Sequence, residues 1–168
     1  MRYLLFVAML FTAGAIAAEP EWHLDFARST EPKETDIVRL AYRTPLARRE
    51  TWWMPSQLQF GASVWRVPDL GGETRRLDLN LTPIWRGENS WGYVEGGIGV
   101  YLLSKTINND ANQLPSSFQF GSHVGAGLRF GERGQGRVGV GVQHLSNAGL
   151  KQPNGGINLV LLSAGFDI

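Results

Sequence analysis

Beyond its first eighteen residues, most of this chain returns an apolar side chain at every second position, and it contains no uninterrupted apolar run long enough to cross a bilayer as a helix. The pattern is plain in Leu77-Asp78-Leu79-Asn80-Leu81-Thr82 and in Arg137-Val138-Gly139-Val140-Gly141-Val142. Gln57-Leu58-Gln59-Phe60 and Ser117-Phe118-Gln119-Phe120 repeat it. A period of two places one residue set on each face of a strand. Where one set faces lipid, this is the signature of a transmembrane barrel strand. If such a chain enters a membrane, it enters as a barrel, because only helices and closed sheets satisfy their own backbone in hydrocarbon.

Eight segments carry the pattern: about 21–29, 36–46, 54–67, 73–86, 91–104, 117–131, 136–147 and 157–168. Several are longer than the roughly five or six residues usual for a soluble sheet. The expected fold is therefore all-β, an eight-stranded antiparallel outer-membrane β-barrel. Its narrow interior would be filled by side chains, with close approach permitted at Gly96, Gly97, Gly99, Gly125 and Gly127. Pro83 lacks an N–H and predicts irregular pairing within its strand. Arg86–Ser90 and Gly131–Gln135 read as short turns, whereas Lys105–Ser116 and Gly149–Gly156 are longer and polar. Short turns inside and long loops outside are the barrel rule, and these four agree with a periplasmic N-terminus. Ala47–Trp53 is longer than a tight turn and departs from it. Trp22, Trp52, Trp53, Trp65, Trp85, Trp91 and Tyr93 stand near strand ends, as interfacial girdles require. The competing reading makes them the core of a soluble β-sandwich.

The N-terminus reads as an address. Arg2 supplies a positive charge, Leu4–Phe11 an apolar run and Ala15-Ile16-Ala17 a cleavage site of small residues. The organisation expected is a signal peptide over 1–18 and a transmembrane barrel domain over 19–168. No cysteine is present, which excludes disulfides, a lipid-bearing cysteine and thiolate metal sites. The formal charge of +1 gives no electrostatic reason to expect a nucleic-acid partner. Glycine at 21 residues, with six tryptophans, four tyrosines and eight phenylalanines, fits turn-rich β-structure and opposes disorder.

His144 and Ser146 stand two apart on one predicted strand, so their side chains share a face, with Cβ atoms roughly 6–7 Å apart. An imidazole within reach of a hydroxyl can act as its base and make it a nucleophile. The spacing alone fits equally a surface histidine beside a turn serine. Three features favour the catalytic reading. The pair lies at the outer end of its strand on the lipid side, where idle polar groups are costly. Asn147-Ala148-Gly149 follows at once and offers amide donors of the kind an oxyanion requires. Pro153-Asn154-Gly155-Gly156 then turns the chain so that Asn158, opening the last strand, approaches His144.

The stretch His144-Leu145-Ser146-Asn147-Ala148-Gly149-Leu150-Lys151-Gln152-Pro153-Asn154-Gly155-Gly156-Ile157 resembles the C-terminal signature of the lipid A 3-O-deacylase (PagL) family. That resemblance implies an outer-membrane barrel acting on lipid A, or lipopolysaccharide, among the outer-membrane lipids. The reaction implied is hydrolysis of the 3-position ester with release of a 3-hydroxyacyl chain, with no metal or other cofactor. By position, Ser146 resembles the family nucleophile and His144 its base. Asn147, Gly149 and Asn154 fall in the segment that supplies oxyanion and loop-positioning groups. The family's third member is a glutamate; Asn158 stands there instead. An asparagine can orient the imidazole through its amide oxygen but cannot supply charge.

Other polar residues are read more plainly. His123 is expected in the interior or at the interface, Ser122 roughly opposite Ser146, and His23 incidental near the mature N-terminus. Glu95 and Arg129 are candidates to pair inside the barrel. Asp36, Glu73 and Asp110 read as loop charges. Arg48-Arg49 and Arg75-Arg76 are basic dyads that could touch lipid phosphates, with solvated strand ends as the alternative. Two rival classes remain, a non-catalytic structural or adhesion barrel and a soluble periplasmic lipid-binding domain. Pairing of two copies as a homodimer is left open.

Overall fold

The computed structural model describes residues 19–30, 34–46, 54–69, 72–108 and 113–168, and for Asp69, Asn108 and Gln113 the backbone alone. The expected signal peptide, Arg48-Arg49, Trp52-Trp53, Asp110 and the connection Ala47–Trp53 lie outside the described residues. The long strands are β1 (Glu21–Ser29), β2 (Asp36–Pro45), β3 (Gln57–Asp69), β4 (Gly72–Glu88) and β5 (Gly92–Leu103), then β8 (Phe118–Phe130), β9 (Gly136–Ser146) and β10 (Ile157–Asp167). They close into one antiparallel barrel in the order β1-β10-β9-β8-β5-β4-β3-β2. Between β5 and β8, two short strands, β6 (Ile107–Asn108) and β7 (Gln113–Leu114), form a separate ribbon.

Alternation sets the two faces. On β1, Glu21, His23 and Asp25 are buried while Trp22, Leu24 and Phe26 are exposed. Outside, Leu40, Leu79, Ile98, Val124, Val140 and Leu162 belong to a continuous apolar belt that suits hydrocarbon. The β4–β5 ladder skips Thr82 and Pro83 and resumes in the same register, from Leu81↔Val100 to Ile84↔Gly97. A proline without an N–H produces that local gap.

The interior is layered. Toward the periplasmic end, Glu21 meets Arg86 at 2.8 Å, His23 at 3.0 Å and Arg137 at 3.1 Å. Glu95 meets Arg86 at 2.7 Å and Arg43 at 2.9 Å. His23 is therefore a buried member of this lattice, not an incidental residue. Glu95 and Arg129 are both interior but do not pair: Arg129 instead donates to the carbonyls of Asn89 at 2.9 Å and Gly134 at 3.1 Å. Higher up, Arg39 donates to Gln143 at 2.8 Å, and Gln143 donates to the Tyr101 hydroxyl at 2.6 Å.

The extracellular end is closed by an apolar plug that includes Ile37, Trp65, Ile107, Leu114, Leu145 and Ile157. The connection expected to be merely polar supplies Ile107 and Leu114, both fully buried. Two of the expected girdle residues also turn inward. Trp65 shares the parity of Gln59 and Ser63 and its indole N–H donates to Asp78. Tyr93 is buried beside Arg86, whose guanidinium carbon lies 5.0 Å from its ring centroid. Glycines make room for that side chain: a Cβ at Gly127 would come within 2.6 Å of the ring, and one at Gly139 would collide with its hydroxyl oxygen. Trp22 and Trp91 remain on the outside, Trp22 against Tyr42 with ring centroids 5.3 Å apart.

Removing one partner from a buried ion lattice leaves uncompensated charge, which costs about 3–5 kcal/mol. Glu95→Ala should therefore lower the urea midpoint of the refolded barrel, followed by tryptophan fluorescence. A midpoint equal to wild type would show that Glu95 does not hold Arg43 and Arg86.

Candidate active site

Leu145 and Ile157 determine how the site is presented. They face each other across β9 and β10, and both are fully buried in the apolar plug. Because neighbours on a strand point to opposite faces, anchoring Leu145 inward turns His144 and Ser146 outward. Anchoring Ile157 inward turns Asn158 outward by the same rule.

The register then places Asn158 directly beside His144, and Nδ1 of His144 lies 2.8 Å from Oδ1 of Asn158. An amide oxygen can only accept, so Nδ1 carries a proton, and in the neutral ring Nε2 keeps its lone pair. The backbone of Asn158 is held from its other side, where Thr30 N–H donates to its carbonyl at 3.0 Å. Gly156, at φ +71°, lies against the imidazole: a Cβ there would meet Cε1 of His144 at 2.7 Å and the Leu145 carbonyl oxygen at 2.7 Å. The glycine is thus required twice, for its backbone angle and for the space the ring occupies.

The loop after Ser146 is a second unit. Leu150 N–H donates to the Asn147 carbonyl at 3.1 Å, closing a turn whose central residues Ala148 and Gly149 have φ of 54° and 82°. Positive angles at both positions are those of a type I′ turn. Asn147 is fully buried, and its carboxamide is engaged at both ends: Oδ1 accepts from Gly149 N–H at 3.0 Å, and Nδ2 donates to the Lys151 carbonyl at 2.8 Å. Asn154 Oδ1 accepts from Asn147 N–H at 3.0 Å. Asn147, Gly149 and Asn154 are thus brought together within the loop, behind the outward row that carries His144, Ser146 and Asn158.

Some neighbours escaped the sequence. Ser122 lies opposite His144, not Ser146, and Phe120 takes the place beside Ser146. The turn over 131–135 closes at Phe130↔Gly136, which sets this register. Phe120 packs edge-on against Phe118, with ring centroids 5.1 Å apart, and both rings are exposed. His123 points inward, with Nε2 3.7 Å from Glu95, and takes no place in the outward row.

Comparison with known proteins bears on this constellation. The family model described as lipid A 3-O-deacylase (PagL) matches residues 36–167. The chain is 34% identical to the lipid A deacylase PagL of Bordetella bronchiseptica over 75% of this chain and 72% of that protein. It is 38% identical to the lipid A deacylase PagL of Pseudomonas aeruginosa over 64% of this chain and 65% of that protein. Among solved structures, that of the outer membrane enzyme PagL superimposes with a TM-score of 0.67 at 28% identity, covering 87% of this chain and 99% of the other.

Asn147→Ala removes both carboxamide bonds from the loop. Local opening should rise about thirtyfold, since a hydrogen bond contributes about 1 kcal/mol and two are lost. Limited trypsin digestion at Lys151 reads this directly. A cleavage rate like that of the wild type would show that the loop is held by other contacts.

Proposed function

Because this chain belongs to the lipid A 3-O-deacylase (PagL) family, we propose that it hydrolyses the 3-O-linked acyl ester of lipid A in the outer membrane, with Ser146 as nucleophile and His144 as its base. The observation that carries this mechanism is the 2.8 Å contact between His144 Nδ1 and Asn158 Oδ1. It supports the neutral tautomer with the proton on Nδ1, in which Nε2 is free to accept the Ser146 proton.

In the reaction, Ser146 Oγ adds to the ester carbonyl as His144 Nε2 takes its proton. The tetrahedral intermediate collapses, the C–O bond to the sugar breaks, and His144 returns the proton to the departing sugar hydroxyl. A water, deprotonated by the same nitrogen, then releases the 3-hydroxyacyl acid and regenerates Ser146. Asn158 holds the ring throughout. It supplies no negative charge to the imidazolium that forms, in contrast to an acid in the same place.

The oxyanion needs donors that are not already engaged. The carboxamide of Asn147 is committed to the loop, as are the amides of Asn147, Gly149 and Leu150. Among the described residues, Ala148 is the member of this turn whose N–H has no such bond, and we assign it the oxyanion. Asn147, Gly149 and Asn154 then act as positioning residues that hold the turn on which it sits. The outward exposure of His144 and Asn158 supports an ester delivered from the leaflet, beside Phe120 and above Val142.

Mass spectrometry of lipid A from cells producing the protein should show loss of one 3-hydroxyacyl chain, and Ser146→Ala should abolish it. Lipid A of unchanged mass in a strain offering that ester would overturn the reading. Asn158→Ala should slow turnover about fivefold, the worth of one orienting hydrogen bond of about 1 kcal/mol, while Asn158→Glu should accelerate it. An unaltered rate in Asn158→Ala would remove Asn158 from the mechanism.

A further inference from the structure

A groove of about 800 Å³ runs along the outside of the barrel next to the site, lined by Phe26, Val38, Val64 and Leu162 below and by Arg28, Arg66 and Arg75 along its rim. We propose that this groove seats the phosphorylated end of the same lipid A molecule whose ester reaches Ser146, its arginine rim binding phosphate and its apolar floor a non-reacting acyl chain. The proposal rests on the deacylase reading above and extends it from the scissile bond to the rest of the substrate.

The strand register places the rim on one outward row. Val142 faces Val160, Val160 faces Arg28, Arg28 faces Asp36, Asp36 faces Arg66, and Arg66 faces Arg75. The row is therefore apolar over β9 and β10 and charged over β1 to β4. Barrel strands tilt, so a row perpendicular to them changes depth as it goes round. Lipid-facing charge is costly at mid-membrane and nearly free at the interface, which assigns the charged half to headgroup level.

The arginines are unequal. Asp36 ties Arg28 at 2.8 Å and Arg66 at 2.5 Å, holding the two guanidinium groups on either side of one carboxylate. Glu34 and Glu73 lie 3.0 and 3.5 Å from them, so their charge is answered locally. Each fork retains further N–H groups, which suit the planar, multidentate recognition of phosphate. Arg75 is exposed and has no carboxylate partner among the described residues; it is the surplus cation of the rim.

Continuity with the catalytic row argues for one lipid rather than two. Val160 in the groove is two residues from Asn158, and Thr30, two residues past Arg28, binds the Asn158 carbonyl. One strand spacing and one same-face step separate Arg28 from Asn158, about 8 Å, and three further strands lead to Arg75, about 14 Å beyond. A single acylated, phosphorylated disaccharide lying across these strands spans that interval.

The test compares release of the hydroxyacyl chain from phosphorylated lipid A and from its dephosphorylated counterpart, each the sole lipid in nonionic detergent micelles. Wild-type protein should show higher kcat/KM on the phosphorylated form, through KM. Arg75→Gln should shrink that preference about fivefold, and Arg75→Lys should keep most of it. No preference in the wild type, or a preference unaltered in Arg75→Gln, overturns the proposal. So does a loss that strikes both substrates alike, which would mark a structural effect. Native mass spectrometry of lipid binding to Ser146→Ala separates the two readings. Phosphate-selective binding by a protein that never hydrolyses sinks the deacylase and spares the groove. Hydrolysis without phosphate selectivity sinks the groove and spares the deacylase.

Discussion

Pairing of the first strand with the last is the constraint on which everything else depends. From Glu21↔Asp167 to Ser29↔Leu159, β1 and β10 share a complete antiparallel ladder. Without it, two strand edges would carry unpaired N–H and C=O groups into hydrocarbon, at several kcal/mol each. Closure dictates that every strand present one face to lipid and one to a narrow lumen. It also dictates that a lipid-modifying site be built on the outside, because the lumen is full.

That filled lumen is divided by chemistry. Its middle and lower parts hold ion pairs such as Glu95 with Arg43 and Arg86, and its extracellular end holds the apolar plug. The division bears on the site directly. Leu145 and Ile157 are plug residues, and their alternate neighbours His144, Ser146 and Asn158 are the outward ones. Packing inside the barrel and chemistry outside it are thus two sides of the same pair of strands. The rigidity of the plug passes to the imidazole through a single peptide step.

The strands were legible because period two is a local signal: β1 falls at 21–29 in both readings, and β9 and β10 within a residue or so at each end. The His144–Asn158 contact was also legible, since it needed only adjacent strands and the right parity. What could not be read was which face an aromatic takes in a barrel whose interior is itself mixed. Trp65 and Tyr93 look like girdle residues until Asp78 and Arg86 are seen to meet them inside. Ile107 and Leu114 sit in a segment whose composition is polar, and only the closed barrel shows the hollow they fill. The commitment of the Asn147 carboxamide is of the same kind. Its residue type suits an oxyanion donor, but its partners are loop atoms fixed by the turn.

The outward exposure of His144, with Val142 beneath it and the polar loop above, puts the proposed site at a phase boundary. Its two reactants arrive by different routes, the glycolipid by lateral diffusion within the leaflet and the water from the surface above. Encounter with the lipid is therefore a search in two dimensions, governed by molecules per unit area rather than per unit volume. The products part at the same line. A liberated acyl chain stays in the oily layer, while the sugar it leaves keeps its place at the surface with one anchor fewer.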